Sequence, residues 1–160
     1  MSETKNQGQK LIASNPSRSN YFISEVVEAG LVLTGTEVKS LRSQSPNIRD
    51  SFVEVRPDGN GKIEAMLLNV HIPPYSHGNI WNHEPLRPRK LLLHRHQINK
   101  IHGAVIQKGM TIVPTKLYFL RGRVKVELAI GKGKKKHDKR ETLKKKSAER
   151  EMDLARKVRR

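Results

Sequence analysis

Lys116-Leu-Tyr-Phe-Leu-Arg-Gly-Arg-Val-Lys-Val-Glu-Leu-Ala-Ile130, KLYFLRGRVKVELAI, reads as two β-strands around a two-residue turn. From Arg123 to Ile130, charged and apolar residues alternate at period two, the pattern of a strand with one buried and one wet face. Lys116 to Leu120 is the first arm and Arg121-Gly122 the turn. A hairpin of this kind places the chain in the antiparallel β class.

Upstream, Met110 to Val113 reads as a further strand. Before it, Ile98, Ile101, His102 and Val105 share one helical face, and Gly109 follows as a terminator. His94 and His96 are expected on one face of a strand ahead of that helix. Residues 73–88 hold Pro73, Pro74, Pro85 and Pro88 among His, Asn, Gly and Trp81; proline lacks the ladder donor, so a long mobile loop is expected. Ser51 to Arg56 alternates, Pro57-Asp58-Gly59-Asn60-Gly61 turns, and Lys62 to Leu68 returns as its hairpin partner. Tyr21 to Val27 and Leu31 to Thr34 extend the strands, and Gly35 to Arg42 carries Val38 and Leu41 at helical spacing. Six or so antiparallel strands with two or three short helices predict a small OB-like β-barrel, closed or partly open.

The chain has 160 residues, 32 Lys and Arg against 15 Asp and Glu, and a formal charge of +17. Such an excess opposes compaction and points to a polyanionic partner. With no cysteine, disulfides, thiolate metal sites and a cysteine nucleophile are excluded, and a reducing cytoplasm is compatible. Residues 1–19 are polar and read as a flexible arm, neither signal peptide nor anchor. No apolar run approaches the roughly 20 residues of a membrane span. Seven histidines invite a metal reading, yet His71, His77 and His83 stand six apart with no HExxH and no carboxylate at ligand spacing. Glu28, Glu37, Asp50 and Glu54 are not paired by any catalytic spacing, and the glycines match no P-loop. The expectation is a binding protein without metal, cofactor or catalytic residue.

Three cationic groups stand out: Lys39 and Arg42; Arg87, Arg89 and Lys90; and Arg121, Arg123 and Lys125. Lys or Arg alternating with Val can track a phosphate backbone along one strand face. Aromatics are 4% of the chain, so structured RNA, read by shape and phosphate geometry, fits better than a stacking platform. A general RNA-binding or ribosomal protein and an RNA-processing enzyme share this charge and size.

Residues 131–160 behave differently. They carry 14 Lys and Arg against 5 acidic residues and so half the net charge, with few aliphatics. Such a segment cannot meet an ordering entropy of about 1–2 kcal/mol per residue, so 132–160 is expected to be disordered when free. Asp138 with Glu141, and the pairs Glu141/Lys145 and Asp153/Lys157, are the elements of a helix that phosphates would stabilise.

Tyr21-Phe22-Ile23, Glu28-Ala29-Gly30-Leu31, Gly35-Thr-Glu-Val-Lys-Ser-Leu-Arg42, Arg89-Lys90-Leu91-Leu92-Leu93 and Gly131-Lys132-Gly133-Lys134-Lys135-Lys136-His137-Asp138-Lys139-Arg140 stand in an order and spacing that resembles the small protein B family of bacterial SsrA-binding proteins. The resemblance spans about Tyr21 to Arg140. It implies an OB-like barrel over 20–131 that binds the tRNA-like domain of transfer-messenger RNA. It also implies a role in trans-translation, the rescue of stalled ribosomes, by a monomeric cytoplasmic protein. The positions that correspond to the family's RNA contacts are Glu28, Leu92 and Lys125. The run Lys132 to Arg140 corresponds to the tail acting on small-subunit rRNA in the decoding centre, with His137 stacking on a base and the tail probing the empty mRNA channel.

Overall fold

The computed structural model describes residues 8–158. Seven strands, β1 (Gln9–Ser14), β2 (Tyr21–Leu31), β3 (Phe52–Pro57), β4 (Ile63–Leu68), β5 (Arg89–Leu92), β6 (Thr111–Leu120) and β7 (Arg123–Gly133), form one antiparallel sheet in the order β1-β6-β7-β2-β5-β4-β3. Three helices, α1 (Gly35–Ser43), α2 (Arg95–Lys108) and α3 (Lys136–Val158), complete the described residues with two 3-10 turns.

The β6–β7 hairpin is the axis of the sheet. Arg121 (φ 51°) and Gly122 (φ 76°) both take positive φ, the requirement of a type I′ turn, whose twist matches that of the strands. Val124, Val126, Leu128 and Ile130 point inward and are buried, while Arg123 and Lys125 point outward. Irregularities in register at Leu11/Ala13, Ile23/Glu25 and Pro114/Lys116 curl the sheet around this row. β3 comes against β6 without pairing with it. The sheet is therefore an OB-like barrel left open.

α2 packs against β3, β4 and β6 and buries Ile98 and Ile101 on the core. Its ends are specified by sequence. The Gln97 side chain accepts the His94 N–H at 3.0 Å, and Gly109 closes the helix in the left-handed conformation (φ 59°). His94 and His96 thus stand at the start of α2, rings stacked 5.7 Å apart, and not on a strand. The expected strands at 110–113 and 116–120 are one strand bulged at Thr115.

α1 is held by charge. Glu37 is fully buried, and its carboxylate accepts from Arg89 Nε at 2.8 Å, Arg87 Nη2 at 2.8 Å and the Thr34 N–H at 2.9 Å. Arg89, also fully buried, donates to the carbonyls of Val70 at 2.7 Å and Pro85 at 3.0 Å. One guanidinium thus ties α1, the end of β4, the proline-rich loop and β5.

The two ends of the chain differ from a plain reading of flexible arm and disordered tail. Residues 9–14 of the expected flexible arm form edge strand β1 on β6, and Asn15 fixes its end, donating Nδ2 to the Pro114 carbonyl at 2.8 Å and capping the turn Pro16–Asn20. Residues 1–7 lie outside the described residues. The tail, expected to be disordered when free and helical on the ribosome, has the helical form here, the 23-residue helix α3, none of whose residues is buried. Its start is fixed by Asp138, which accepts the Lys135 N–H at 3.1 Å.

Burial disfavours the Glu37 charge, but the hydrogen bonds from Arg87 and Thr34 and the charge of Arg89 outweigh it and hold the carboxyl below its ordinary value. The folded pKa is the lower one, so this stabilisation is present above the ordinary glutamate range of about 4.3 and is lost as pH falls through and below it. Glu37→Gln leaves Arg89 buried without a counter-charge. The expected cost is about 3–5 kcal/mol in urea unfolding at neutral pH, with a flattened acid limb of the stability profile. Arg87→Ala, at the half-open rim, costs less.

Candidate nucleic-acid interface

Strand register brings together residues far apart in sequence. Leu92 on β5 pairs with Gly30 on β2, Gly30 pairs with Lys125 on β7, and Lys125 pairs with Tyr118 on β6. The four form one row on the outer face. A side chain at position 30 would meet Leu92 Cβ at 3.3 Å, so glycine is what lets Leu92 lie across the strand, where it is 55% exposed. Grooves open on either side: one of about 280 Å³ reaches Val38 on α1 and Arg123, and one of about 690 Å³ reaches Glu25, Val26, Glu28 and Gln97.

Glu28, two residues from Gly30 on the same face, accepts a hydrogen bond from the Tyr118 hydroxyl. Burial and this carboxylate push the Tyr118 phenol well above its ordinary pKa, so the hydroxyl stays a donor and fixes the carboxylate. An anchored acceptor beside a row that holds an apolar side chain and a lysine can meet a base edge, a base or sugar face and a phosphate. Tyr118 is the member of this group that sequence reasoning missed, since an inward and an outward tyrosine look alike until register is known.

The expected cationic groups fare unequally. Arg123 and Lys125 stand at the grooves and take part in none of the ion pairs among the described residues. Lys39 and Arg42 are exposed on α1, and the Lys39 ammonium lies 5.7 Å from the centre of the Tyr75 ring. The group Arg87, Arg89, Lys90 does not form a free cationic patch. Arg89 is buried on Glu37 and cannot reach an RNA, Arg87 shares that carboxylate, and exposed Lys90 pairs with Glu64 at 3.3 Å. The alternation that exposes Lys90 and Leu92 necessarily buries Arg89 and Leu91.

The tail run is divided by the fold. Gly131, Lys132 and Gly133 complete β7, paired with Ile23, Phe22 and Tyr21. A side chain on Gly131 would drive into the Phe22 carbonyl, so that glycine is required by close strand approach. The Lys134 N–H donates to the Asn20 carbonyl at 2.7 Å, and its ammonium sits 5.1 Å over Phe22, a cation–π contact. Asp138 accepts the Lys135 N–H at 3.1 Å and starts α3, which then presents Lys136, His137, Lys139 and Arg140 to solvent. His137 is 81% exposed and lies 3.7 Å from Glu141, which takes it as i,i+4 partner in place of the expected Lys145.

The family model described as SmpB protein matches residues 12–159. The chain is 51% identical over 151 residues to an SsrA-binding protein of Geobacillus thermodenitrificans, covering 94% of each. It is 54% identical over 145 residues to an SsrA-binding protein of Caldanaerobacter subterraneus subsp. tengcongensis, covering 90% of this chain and 89% of the other. A solved structure described as "tmRNA-SmpB: a journey to the center of the bacterial ribosome" contains a similar chain, at 42% identity and TM-score 0.63, over 84% of this chain and 95% of that one.

Tyr118→Phe removes the donor to Glu28. A spectrophotometric alkaline titration of the three tyrosines is expected to show one ionising well above the usual value of about 10, and that component vanishes in Tyr118→Phe.

Proposed function

The chain belongs to the SmpB protein family, and from that membership we propose that it binds the tRNA-like domain of transfer-messenger RNA and delivers it to stalled ribosomes in trans-translation. The observation that carries this reading is the outer row Leu92–Gly30–Lys125 with Glu28 beside it. It joins side chains for a phosphate, a base edge and an apolar contact without a catalytic constellation. The protein acts by binding, as a monomer in the cytoplasm. Among the described residues no helix is long and apolar enough to cross a membrane.

The barrel, with Glu28, Leu92, Arg123 and Lys125 and with Lys39, Arg42 and Lys90 at its margins, is the element for transfer-messenger RNA. The tail from Lys132 is the element for the ribosome. α3 carries nine Lys and Arg against five acidic residues and spans about 35 Å at 1.5 Å per residue. A helix with no apolar face against its own domain and a cationic excess suits a channel walled by rRNA phosphates. There it probes the empty mRNA path, and His137 stacks on a small-subunit base in the decoding centre.

Lys125→Ala is expected to weaken binding of transfer-messenger RNA and to reduce the salt slope of log K by about one, as for one lost phosphate contact. An unchanged slope refutes a phosphate role for Lys125. Binding of the intact protein should survive excess bulk tRNA; its loss under competition would favour a general RNA-binding protein.

Truncation after Gly133 retains the β7 pairing. It is expected to keep affinity for transfer-messenger RNA within about tenfold while abolishing peptide tagging on stalled ribosomes in a reconstituted system. His137→Ala keeps RNA binding and slows tagging, and His137→Phe retains more tagging than His137→Lys. Full tagging by the truncated protein would refute the division of labour between barrel and tail.

A further inference from the structure

Residues 73–88, expected to be mobile, are closed by specific hydrogen bonds. Asn82 stands in for a strand rung: its Oδ1 accepts the Tyr75 N–H at 3.1 Å and its Nδ2 donates to the Tyr75 carbonyl at 2.6 Å. The Gly78 N–H donates to the same carbonyl at 3.0 Å, and any Cβ at position 78 would fall 2.6 Å from Asn82 Nδ2. Both ends are tied to α1. Ser40 Oγ donates to the Pro73 carbonyl at 2.5 Å and Gln44 Nε2 to that of Pro74 at 3.2 Å, while the His83 ring bridges Thr36 Oγ1 at 2.9 Å and the Ile72 carbonyl at 3.0 Å.

Among exposed Ser76, His77, Asn79 and Glu84 this loop also presents large apolar side chains. Ile80 is 87% and Trp81 84% exposed, an unusual condition for the largest side chain in the molecule. Residues 73–83 contain no Asp or Glu, exposed Glu84 being the one carboxylate of the loop, and Lys39 reaches over Tyr75 at the loop's base. α1 joins this loop to the row described above, because Val38 lines the groove of Leu92 and Lys125 while Thr36, Ser40 and Gln44 hold the loop.

We propose that Trp81 is an RNA contact, an indole held out by the Asn82 clasp so that an unpaired base stacks on its face with Ile80 against the adjoining sugar. This rests on the RNA-binding function proposed above. Even with Leu86, the third large exposed apolar side chain of the loop, the patch is too small for a stable protein interface, which takes about 800 Å² per partner, whereas one indole matches one base. The absence of carboxylates along 73–83 and the nearby Lys39 admit the phosphates that come with that base. Transfer-messenger RNA and rRNA can each supply it.

Trp81 is the only tryptophan, so its emission reports on this site alone. The intact protein is titrated with transfer-messenger RNA and with protein-free small-subunit rRNA, following Trp81 emission and acrylamide quenching, with binding measured separately by gel shift. Stacking is expected to quench the emission and shield it from acrylamide with the RNA that supplies the base. Trp81→Ala is expected to weaken binding to that same RNA by roughly fivefold to a hundredfold, and Trp81→Phe to recover most of it, both variants melting like the parent. RNA that binds by gel shift but leaves emission, accessibility and the affinity of Trp81→Ala unchanged overturns the inference and leaves the proposed function standing. Absence of RNA binding by the parent overturns both. A defect of Trp81→Ala seen on intact small subunits but not on protein-free rRNA assigns the loop to a ribosomal protein and overturns the inference, as does a loss that Trp81→Phe fails to recover.

Discussion

A carboxylate and a guanidinium, both withdrawn from water, set the frame in which every exposed contact of this domain is presented. Desolvating two charges is costly, and the interior returns the cost only when nearly all their hydrogen-bonding capacity is used. In Glu37 and Arg89 every side-chain oxygen and nitrogen has a partner. The carboxylate takes two arginines and a backbone N–H, and the guanidinium takes the carboxylate and two carbonyls. Both carbonyls lie outside the named strands, and that of Pro85 takes the Ile72 N–H as well, so the pair adds side-chain rungs where regular ladders end. β5 is only four residues long, and its placement of Leu92 beside Gly30 depends on the anchor that Arg89 gives at its first position.

The hairpin KLYFLRGRVKVELAI was legible because two independent local signals agreed: alternation fixed the strand faces and Arg121-Gly122 fixed the turn. α2 was legible for the same reason, its apolar stripe ending at a glycine that takes positive φ. Arg89 was misread because a local reading counts an arginine as exposed, and its partner lies 52 positions away. The parity that buries it was masked by the run Leu91-Leu92-Leu93, which looks the same on both faces. β1 was missed because an edge strand with polar residues satisfies its backbone on β6 without any apolar pattern to announce it.

The tail shows what composition leaves out. Net charge weighs against order, but order along a single helix is decided by which charges are three and four residues apart. Asp138, accepting the Lys135 N–H at the start of α3, supplies a local contact that a total charge conceals. The glycines of the run carry a similar lesson. Gly131 is fixed by the approach of the Phe22 carbonyl, so a residue that reads as a source of flexibility is a packing requirement.

α3 leaves the sheet through Lys134 and Lys135, and the first of these is clamped by Asn20 and Phe22. A flexible chain as long as α3 would have a root-mean-square span of about 26 Å with wide scatter, and it could crumple beside an obstruction. A helix of the same residues is a strut of fixed length set into a fixed socket. Such a strut either enters a passage along its whole length or is turned away, so stiffness alone converts the occupancy of a channel into an all-or-none steric response without any sequence being read.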